Sequence, residues 1–447
     1  MDKEKANFYR GKKVTILGMG RSGRGLAKLL KSIGANVFCS DSGELNNLEN
    51  LDYPFEVGGH TNRVFDADLL AVSPGIPVNS DVIKKAQMLG IKVRGELDLS
   101  AELLDCPYTA VTGTSGKSTT TSLIAYMLNG SLIKSKPVGN IGDALSNYVK
   151  DVDSKWILSI EVSSFQCELM ETFHPKSAVF TNLGEDHLNR HGSMEIYGTL
   201  KQKMLQCMDA SNLVVLNADD AWSSSLSSKT SARSIFFSRL NPNANAYFDG
   251  DNINIDSKHV VKFSDFKLFG YFNALNLMAA ALAVTACGVD PAKALTSALD
   301  FTPLHHRMEL VGIFNNIRYI NDSKATKPDA TVLTLSALEG PFILILGGSE
   351  KGSDFKILLP AMSKVKQAII HGATADHIAR ALTNGGFKSF IVVPTQHDAI
   401  IRALKIAKKG DTVLLSPACA SFDQFEDYER RGEIFTMEVR ELAQKKL

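Results

Sequence analysis

Residues 108–119 read YTAVTGTSGKST, an apolar run followed by small residues, a Gly-Lys pair and hydroxyls. A backbone that aims several N–H groups at one anion needs glycine, and a helix that begins there adds its positive end. Gly113 and Gly116 meet the first requirement, and the helical pattern over 118–130 meets the second. The stretch therefore predicts a buried strand, a phosphate-binding loop and a helix.

Two side chains suit this loop to a nucleoside triphosphate. Lys117 can reach the terminal phosphates, and the Ser118 hydroxyl can bind Mg²⁺. The strict motif has a glycine where this chain has Val111, so the loop is a shortened variant that starts at Gly113. The alternative is a glycine-rich turn that binds nothing. The order of strand, glycine, lysine and hydroxyl favours the nucleotide site.

Outward from this loop, short apolar runs alternate with helical patterns along the whole chain. Continuous apolar runs are typical of parallel strands that helices cover on both faces, so the predicted class is α/β throughout. With 447 residues, about three domains are expected. Pro107 and Pro303 mark the breaks. We predict a Rossmann-like domain over 1–105, a central P-loop domain with a parallel sheet over 106–302 and a Rossmann-like α/β domain over 303–447.

The composition of the chain argues against several classes of function. The 49 Lys and Arg residues balance 48 Asp and Glu residues, so no overall field gathers nucleic acid or an anionic membrane. The six cysteines form no CxxC pair, which argues against a disulfide framework or a thiolate zinc site. The polar N-terminus has no signal peptide pattern, and the longest apolar stretch, 277–289, is too short to span a bilayer. We expect a cytoplasmic protein without membrane insertion.

A second glycine motif, GMGRSG over 18–23, follows the first predicted strand. Gly18, Gly20 and Gly23 match the GxGxxG pattern, and Asp41 ends the next strand, where an acid that binds a ribose would stand. This indicates the diphosphate of some nucleotide. The alternative is that the glycines only permit close packing of a strand against a helix.

Several polar residues near strand ends are candidates for metal binding. Glu161 ends a strand, and paired with Ser118 it suits a Mg²⁺ bound to nucleotide phosphates. His187 and His191 have the spacing of two zinc ligands, but they lack the HExxH glutamate and a third ligand, so zinc is discounted. A single histidine at a second Mg²⁺ stays open.

Other candidates are ambiguous when considered singly. Asn273 and Asn276 lie near a helix start, where side-chain amides either cap the helix or face a ligand. Ser421 lacks the GxSxG context of a hydrolase nucleophile. Charged residues at strand ends or between domains could be ligands or ordinary loop charges: Arg307, Asp322, Lys324 and Lys351.

Six segments together carry a resemblance. In chain order they are GTSGKST over 113–119, EVSSFQ over 161–166, NLGEDHLNRHG over 182–192, PLHHRME over 303–309, NDSKATKPDAT over 321–331 and SPACASFDQF over 416–425. In these segments the chain resembles the Mur ligase family. The resemblance implies that ATP phosphorylates the terminal carboxylate of UDP-N-acetylmuramoyl-L-alanine, and that the amine of D-glutamate attacks the acyl phosphate. It places the enzyme in peptidoglycan synthesis.

The resemblance also implies roles for individual residues. Lys117 would hold the transferring phosphate. Ser118 and Glu161 would bind a first Mg²⁺, and His187 with a carbamylated Lys201 would bind a second. Without the resemblance, Lys201 has the pattern of an ordinary surface lysine. The catalytic set would be Lys117, His187, Lys201 and Lys324.

Three binding sites follow from the same resemblance. ATP would contact Gly113, Thr114, Ser115, Gly116, Lys117, Ser118, Thr119, Asn273, Asn276, Arg307 and Asp322. The UDP substrate would contact Gly18, Gly20, Arg21, Ser22, Gly23, Asp41, Ser42, Ser73, Asn140 and Ser163. D-Glutamate would contact Lys324, Thr326, Lys351, Ser421 and the backbone N–H of Phe422.

The chain departs from the family pattern at two positions. Ser115 stands where members commonly have asparagine, and Ser42 and Gly43 stand where a pair with a basic second member would contact uracil. One alternative function is another amino-acid-adding ligase of the same family. The other is a regulatory module that binds ATP and a UDP-sugar without turnover. We expect a monomer.

Overall fold

The computed structural model describes residues 1–44, 51–349 and 352–444, with only the backbone of the last residue. The chain divides into two compact units. The first comprises Met1–Phe266 and Asn273–Phe301, and the second comprises Lys267–Phe272 and Thr302–Leu447. The boundary predicted near residue 105 falls inside the first unit and stays a prediction.

The first unit begins with a five-stranded parallel sheet in the order β3-β2-β1-β4-β5. Its strands are β1 Lys13–Leu17, β2 Asn36–Ser40, β3 Phe55–Glu56, β4 Leu69–Val72 and β5 Lys92–Gly95. Its helices are α1 Lys3–Tyr9, α2 Arg21–Ser32, α3 Asp81–Met88 and α4 Glu96–Glu102. Because β1 leads directly into α2, the second glycine motif lies at the carboxyl edge of this sheet.

A nine-stranded sheet follows in the order β14-β13-β12-β11-β10-β9-β6-β8-β7. Its strands are β6 Tyr108–Thr112, β7 Pro137–Gly139, β8 Leu158–Glu161, β9 Ser177–Phe180, β10 Leu213–Asn217, β11 Arg233–Ser238, β12 Ala246–Phe248, β13 Asn252–Ile255 and β14 Lys258–Lys262. Its helices are α5 Lys117–Gly130, α6 Ser164–Cys167, α7 Leu188–His191, α8 Met194–Gln202, α9 Ala221–Ser225, α10 Tyr271–Ala283 and α11 Pro291–Ser297.

The phosphate loop joins β6 to α5 near the middle of this sheet. Every residue of β6 is buried, and β6 pairs in parallel with β8 and β9. Leu123, Ile124, Met127 and Leu128, the apolar residues of α5, are fully buried. The predicted order of strand, loop and helix is therefore confirmed.

β13 and β14, at one edge of the nine-stranded sheet, were not among the apolar runs predicted as parallel strands. These strands run antiparallel, and the turn between them consists of Asp256 and Ser257, whose φ angles are 47° and 63°. Positive φ at both central residues is typical of the tight turns that join antiparallel neighbours. Alternate residues of β13 are buried, as expected of a strand with one exposed face.

The second unit contains a six-stranded sheet in the order β15-β16-β20-β17-β18-β19. Among the described strands of this sheet, only the β15–β16 pair is antiparallel. The strands are β15 Glu309–Phe314, β16 Ile317–Asn321, β17 Phe342–Gly347, β18 Val365–His371, β19 Phe390–Val392 and β20 Thr412–Leu415, and the helices are α12 Pro328–Ala337, α13 Ala375–Asn384, α14 Gln396–Ile406 and α15 Tyr428–Gln444.

No helix in the described part of the chain is long and apolar enough to cross a membrane.

Glu96, in the first turn of α4, is a fully buried carboxyl group. Burial raises its pKa from 4.5 to about 7, and the Ser100 hydroxyl, which donates to Oε1 over 3.2 Å, only partly offsets this. The unfolded chain therefore ionises at lower pH than the folded chain. The resulting loss of stability is absent below pH 4.5, grows between pH 4.5 and 7, and is complete above pH 7.

We expect Glu96→Gln to remove this pH-dependent loss. Relative to wild type, the free energy of unfolding of the variant should rise between pH 5 and pH 8, by on the order of 2–3 kcal/mol. Chemical denaturation at both pH values measures it, with the exposed Glu441→Gln as the matched control. A difference between variant and wild type that does not change with pH would contradict the prediction.

Candidate functional site

The phosphate loop turns so closely against neighbouring backbone that its glycines are required. Gly113 has a φ of 144°, and a Cβ there would lie 1.9 Å from the Thr181 hydroxyl. A Cβ on Gly116 would lie 2.4 Å from Oδ1 of Asn276. At both positions, the shortened loop therefore passes too close to its surroundings for a residue with a Cβ atom.

The segment that follows β9 holds the loop in place. The backbone carbonyl of Asn182 accepts from the N–H of Thr114, and its side-chain oxygen accepts from the N–H of Ser115, both over 2.9 Å. Thr181 and Asn182 both donate to the carbonyl of Ser115. These bonds use the backbone of residue 115, so the departure from asparagine at this position leaves them unchanged.

Helix α5 begins directly after this clamped loop. Its first residue, Lys117, donates from Nζ to the carbonyl of Thr114 over 2.9 Å, so the ammonium group lies over the loop. Ser118 and Thr119 are buried in the first turn. No side chain of the described ranges caps this end of α5, so the positive end of the helix is directed at the loop. The arrangement suits an anion with several charges.

Asn273 and Asn276 connect α10 to the helix of the phosphate loop. Asn276 accepts from the Thr120 hydroxyl over 3.2 Å and donates to Oδ1 of Asn273 over 3.1 Å. Both amides are buried. The two asparagines therefore lie beside the first turn of α5.

Glu161 ends β8 in register with Val111, next to the phosphate loop. Its side chain is 2% exposed, and Oε1 accepts from Nδ2 of Asn140 over 2.8 Å. Oε2 is buried and has no hydrogen-bond partner among the described residues. A buried carboxylate oxygen without a donor is costly unless a cation or a proton satisfies it. This oxygen fits a Mg²⁺ bound to nucleotide phosphates.

Lys201 is buried, which corrects its interpretation as a surface lysine. Only 1% of it is exposed, and Nζ donates to the carbonyl of Gly113 over 2.8 Å. Burial, with the nearby charge of Lys117, lowers the pKa of this amine to about 7. Nζ also lies 4.6 Å from the ring centre of Tyr197. The side chain was misjudged because residues distant in sequence cover it.

The two histidines of the NLGEDHLNRHG segment have different surroundings. The His187 side chain is 44% exposed, and its Nε2 lies 3.4 Å from Oδ2 of Asp186. His191 is buried, and its Nε2 lies 3.0 Å from the Ser164 hydroxyl. Across residues 1–44, 51–349 and 352–444, no three His, Cys, Asp or Glu side chains converge as a metal cluster.

The glycines of the second motif differ in how closely other atoms approach them. A Cβ on Gly23 would lie 1.8 Å from the carbonyl oxygen of Gly18, and one on Gly18 would lie 2.9 Å from Ser73. Close packing therefore accounts for these two glycines. A Cβ on Gly20 would meet no described atom within 4 Å. Packing leaves Gly20 unexplained, whereas a diphosphate that approaches the backbone explains it.

Asp41 and Ser73 shape the loop that contains these glycines. Asp41 accepts from the N–H of Met19 over 2.7 Å and from the N–H of Gly43 over 2.9 Å. The Ser73 hydroxyl donates to the carbonyl of Gly18 over 2.9 Å. The carboxylate predicted to bind a ribose thus also holds the glycine loop.

Four other residues of the predicted UDP site occupy the same unit. Arg21, at the start of α2, donates to the carbonyl of Gly142 over 3.1 Å. Ser163 caps α6 by accepting from the N–H of Gln166. Ser22 is half-buried and Ser42 is exposed.

In the second unit, Asp322 lies in a buried hydrogen-bond network. Its carboxylate accepts from the hydroxyls of Thr334 over 2.6 Å and Ser416 over 2.9 Å. Burial raises its pKa to about 6, although these bonds and the nearby charge of Arg307 oppose the shift. Arg307 itself is half-buried.

The residues predicted to bind D-glutamate follow β16 and β20, which are neighbours in the sheet. Nζ of Lys324 lies 3.6 Å from the ring centre of Tyr428, and Thr326 is half-buried. Ser421 is buried, and the N–H of Phe422 donates to the Ser349 hydroxyl over 3.1 Å. Lys351 lies outside the described residues. The structure thus brings the segments over 321–331 and 416–425 together, and the segment over 303–309 contacts the first of them.

Arg431 joins the segments over 321–331 and 416–425, and the sequence analysis did not identify it. Its buried guanidinium donates to the hydroxyl and the carbonyl of Ser323, and to the carbonyls of Cys419 and Ala420, over 2.8–3.1 Å. Tyr428 was missed in the same way. The only available signal was an arginine and a tyrosine shortly after SPACASFDQF, which is too common a pattern to single out.

Comparisons with known proteins agree with this architecture. Three family models match the chain: the MurD N-terminal domain over 13–82, the Mur ligase middle domain over 111–284 and the Mur ligase, glutamate ligase domain over 306–419. The chain belongs to the Mur ligase family. It is therefore an ATP-dependent ligase that acts in the synthesis of peptidoglycan precursors, and members of this family use ATP and Mg²⁺.

Among its curated relatives are two proteins named UDP-N-acetylmuramoylalanine--D-glutamate ligase. The protein from Clostridioides difficile is 36% identical over 447 residues, covering 97% of this chain and 99% of its own. The protein from Pelotomaculum thermopropionicum is 36% identical over 441 residues, covering 96% and 97%. A solved UDP-N-acetylmuramate-alanine ligase from Thermotoga maritima, 19% identical, covers 98% of this chain and all of its own with a TM-score of 0.63, which shows the shared fold.

Proposed function

We propose that this ligase joins D-glutamate to UDP-N-acetylmuramoyl-L-alanine and converts ATP to ADP and phosphate. The relatives that carry this name cover almost the whole chain, which supports the choice of substrates. The observation that supports the phosphoryl transfer is Oε2 of Glu161, which is buried beside the phosphate loop and has no hydrogen-bond partner in the described part of the chain. Such an oxygen suits the cation that ATP brings with it.

The chemistry of the reaction explains why positive charge is needed at the phosphate loop. A carboxylate does not react with an amine near neutral pH until one of its oxygens becomes part of a leaving group. Transfer of the γ-phosphoryl group supplies that leaving group as an acyl phosphate. This transfer needs positioning and positive charge more than a nucleophilic side chain. Lys117 and the uncapped start of α5 provide both at the loop.

Bound Mg²⁺ would neutralise charge that develops on the phosphate oxygens. Ser118 and Glu161 would hold one ion, and His187 with a carbamylated Lys201 would hold a second. The low pKa of the Lys201 amine, about 7, supports the carbamate, because only a neutral amine adds carbon dioxide. Asn140 would keep Glu161 oriented through its hydrogen bond to Oε1.

The two ends of the acceptor substrate would bind different parts of the first unit. The glycine loop over 18–23, with Asp41, Ser42 and Ser73, would hold the UDP end. Asn140 and Ser163 would meet the acyl end. The openness around Gly20 supports a diphosphate there. Asn273, Asn276, Arg307 and Asp322 would contact the adenosine of ATP.

The amino acid would bind in the second unit. Lys324 would pair with a carboxylate of D-glutamate, and Thr326 and Ser421 would donate hydrogen bonds. The N–H of Phe422 would also donate, in place of its present bond to the Ser349 hydroxyl. Lys351 would supply a second cation. Because Arg431 connects the segments that carry Lys324 and Ser421, it would keep these donors at a constant spacing.

We also propose a cellular location and an oligomeric state for the enzyme. We place the enzyme in the cytoplasm, where ATP is available and where the six free cysteines of the structure stay reduced. We propose a monomer in solution, which light scattering would test.

An assay of ADP release against a panel of amino acids tests the substrate. We expect D-glutamate to support turnover at least about 100-fold better than L-glutamate, because two seated carboxylates leave only one enantiomer with its amine toward the acyl phosphate. Lys324→Met should raise the Michaelis constant for D-glutamate about tenfold or more and change that for ATP little, since it removes a charge partner.

The exposed Lys388→Met is the matched control and should behave as wild type. Equal efficiency with L-glutamate would refute the assignment of the substrate. A Lys324→Met defect confined to ATP would refute the assignment of the pocket.

A further inference from the structure

Arg190 belongs to the segment that carries His187, and no motif singles it out. Its guanidinium makes a bidentate contact with Glu168, with Nε 3.0 Å from Oε1 and a terminal nitrogen 2.6 Å from Oε2. The Glu168 side chain is only 5% exposed. Paired hydrogen bonds to a buried carboxylate fix both the position and the plane of an arginine.

The remaining donors of Arg190 reach the turn after β4. They contact the carbonyl of Gly75 over 3.3 Å and the carbonyl of Ile76 over 2.8 Å. The N–H of Ile76 in turn donates to the carbonyl of Ser73, whose hydroxyl contacts Gly18. Arg190 therefore reaches the glycine loop through one short turn of backbone.

Arg190 is also connected to the phosphate loop, through a series of aromatic rings. Its guanidinium lies 5.2 Å from the ring centre of Phe165, and that ring lies 4.8 Å from His187 and 5.4 Å from His191. His191 stacks on Tyr197 at 5.5 Å, and Tyr197 lies under Nζ of Lys201. An unbroken series of packed rings and cations thus connects the Gly75–Ile76 turn to Lys201.

We infer that Arg190 is a positioning residue that sets the spacing between the UDP end and the acyl end of the acceptor substrate. The inference rests on the proposed function, because it requires one substrate that reaches from the glycine loop to the phosphate loop. A long substrate reacts only when both of its ends are seated at once. A shift of about 1 Å between the two loops costs on the order of 100-fold in rate.

The test compares the whole substrate with a fragment of it. Arg190→Ala should lower kcat/KM for UDP-N-acetylmuramoyl-L-alanine about 30-fold or more. The affinity for UDP alone, measured by calorimetry, and the KM for ATP should stay within about threefold of wild type. Arg190→Lys, which keeps the charge but loses the bidentate geometry, should recover only part of the activity.

Loss of Arg190 leaves the Glu168 carboxylate buried without its partner, which by itself can unfold the region. The double variant Arg190→Ala/Glu168→Gln removes that charge and should show the same kinetic defect with a melting temperature near that of wild type. Arg318→Ala is the matched control, since Arg318 also joins two elements, through Thr412 and the carbonyl of Glu339.

Three results would overturn the inference: unchanged kcat/KM in the double variant, an equal loss of affinity for UDP alone, or an equal defect in the control. A wild-type enzyme that releases no ADP with this acceptor and D-glutamate would instead refute the proposed function, and the inference with it.

Discussion

Lys117→Ala is expected to lower turnover by at least about 10³-fold while the protein stays folded. Removing one preorganised donor from a site where charge develops typically lowers the rate about 10²–10³-fold. Removing a cation that contacts a transferring phosphoryl group lowers it about 10³–10⁵-fold. Lys117 lies over the phosphate loop, half-buried, with Nζ 2.9 Å from the carbonyl of Thr114. It is no part of the apolar core, so its loss should change stability little.

ADP release and thermal melting, measured on the same preparation, test this prediction. The exposed Lys150→Ala serves as the matched control and should leave both quantities unchanged. A Lys117→Ala enzyme that folds normally and turns over at the wild-type rate would remove the phosphate loop from the reaction.

Lys201→Ala is expected to lower turnover by about 10²–10³-fold, because it removes the group proposed to become an oxygen ligand for Mg²⁺. A carbamate forms when the neutral amine attacks carbon dioxide and loses a proton. An amine with an ordinary pKa is roughly 0.04% neutral at pH 7. The buried Lys201 amine, with a pKa of about 7, is about half neutral there.

The sign of the pH dependence follows from this pKa. The neutral fraction of Lys201 rises as the pH passes upward through 7, so carbamate formation should be weak at pH 6 and strong at pH 8. Carbon-13 NMR of enzyme equilibrated with labelled bicarbonate and Mg²⁺ measures it. Lys201→Arg, which keeps a cation but cannot carry the group, should lack the resonance. A wild-type spectrum without the resonance at pH 8 would refute the carbamate.

Local sequence patterns predicted much of the scaffold. The apolar run that leads into the phosphate loop forms β6, because a continuous run of buried residues satisfies a parallel sheet wherever it is placed. The start of α11 follows a pattern that the sequence displays, with Asp290 as the cap and Pro291 in the first turn. The hairpin of β13 and β14 was missed, because its turn of Asp256 and Ser257 has no glycine to mark it.

The roles of individual side chains were harder to predict, since they depend on what lies around them. Glu161 was identified as a candidate from its place at a strand end, yet only the structure shows that one of its oxygens is buried with no hydrogen-bond partner in the residues that are described. Lys201 had the sequence context of an exposed helix residue. Its burial comes from packing against the phosphate loop, 88 residues earlier in the chain.

By itself, the sequence determined the α/β class, the phosphate loop and the family, because each depends on residues close together or on motifs in a set order. Only the tertiary structure decided which amine is buried, which carboxylate oxygen lacks a donor, and which arginines join distant loops. Arg190 and Arg431 join distant segments partly through backbone carbonyls, which every residue type presents. Such partners leave no pattern in the sequence, because the side chain at the accepting position plays no part in the bond.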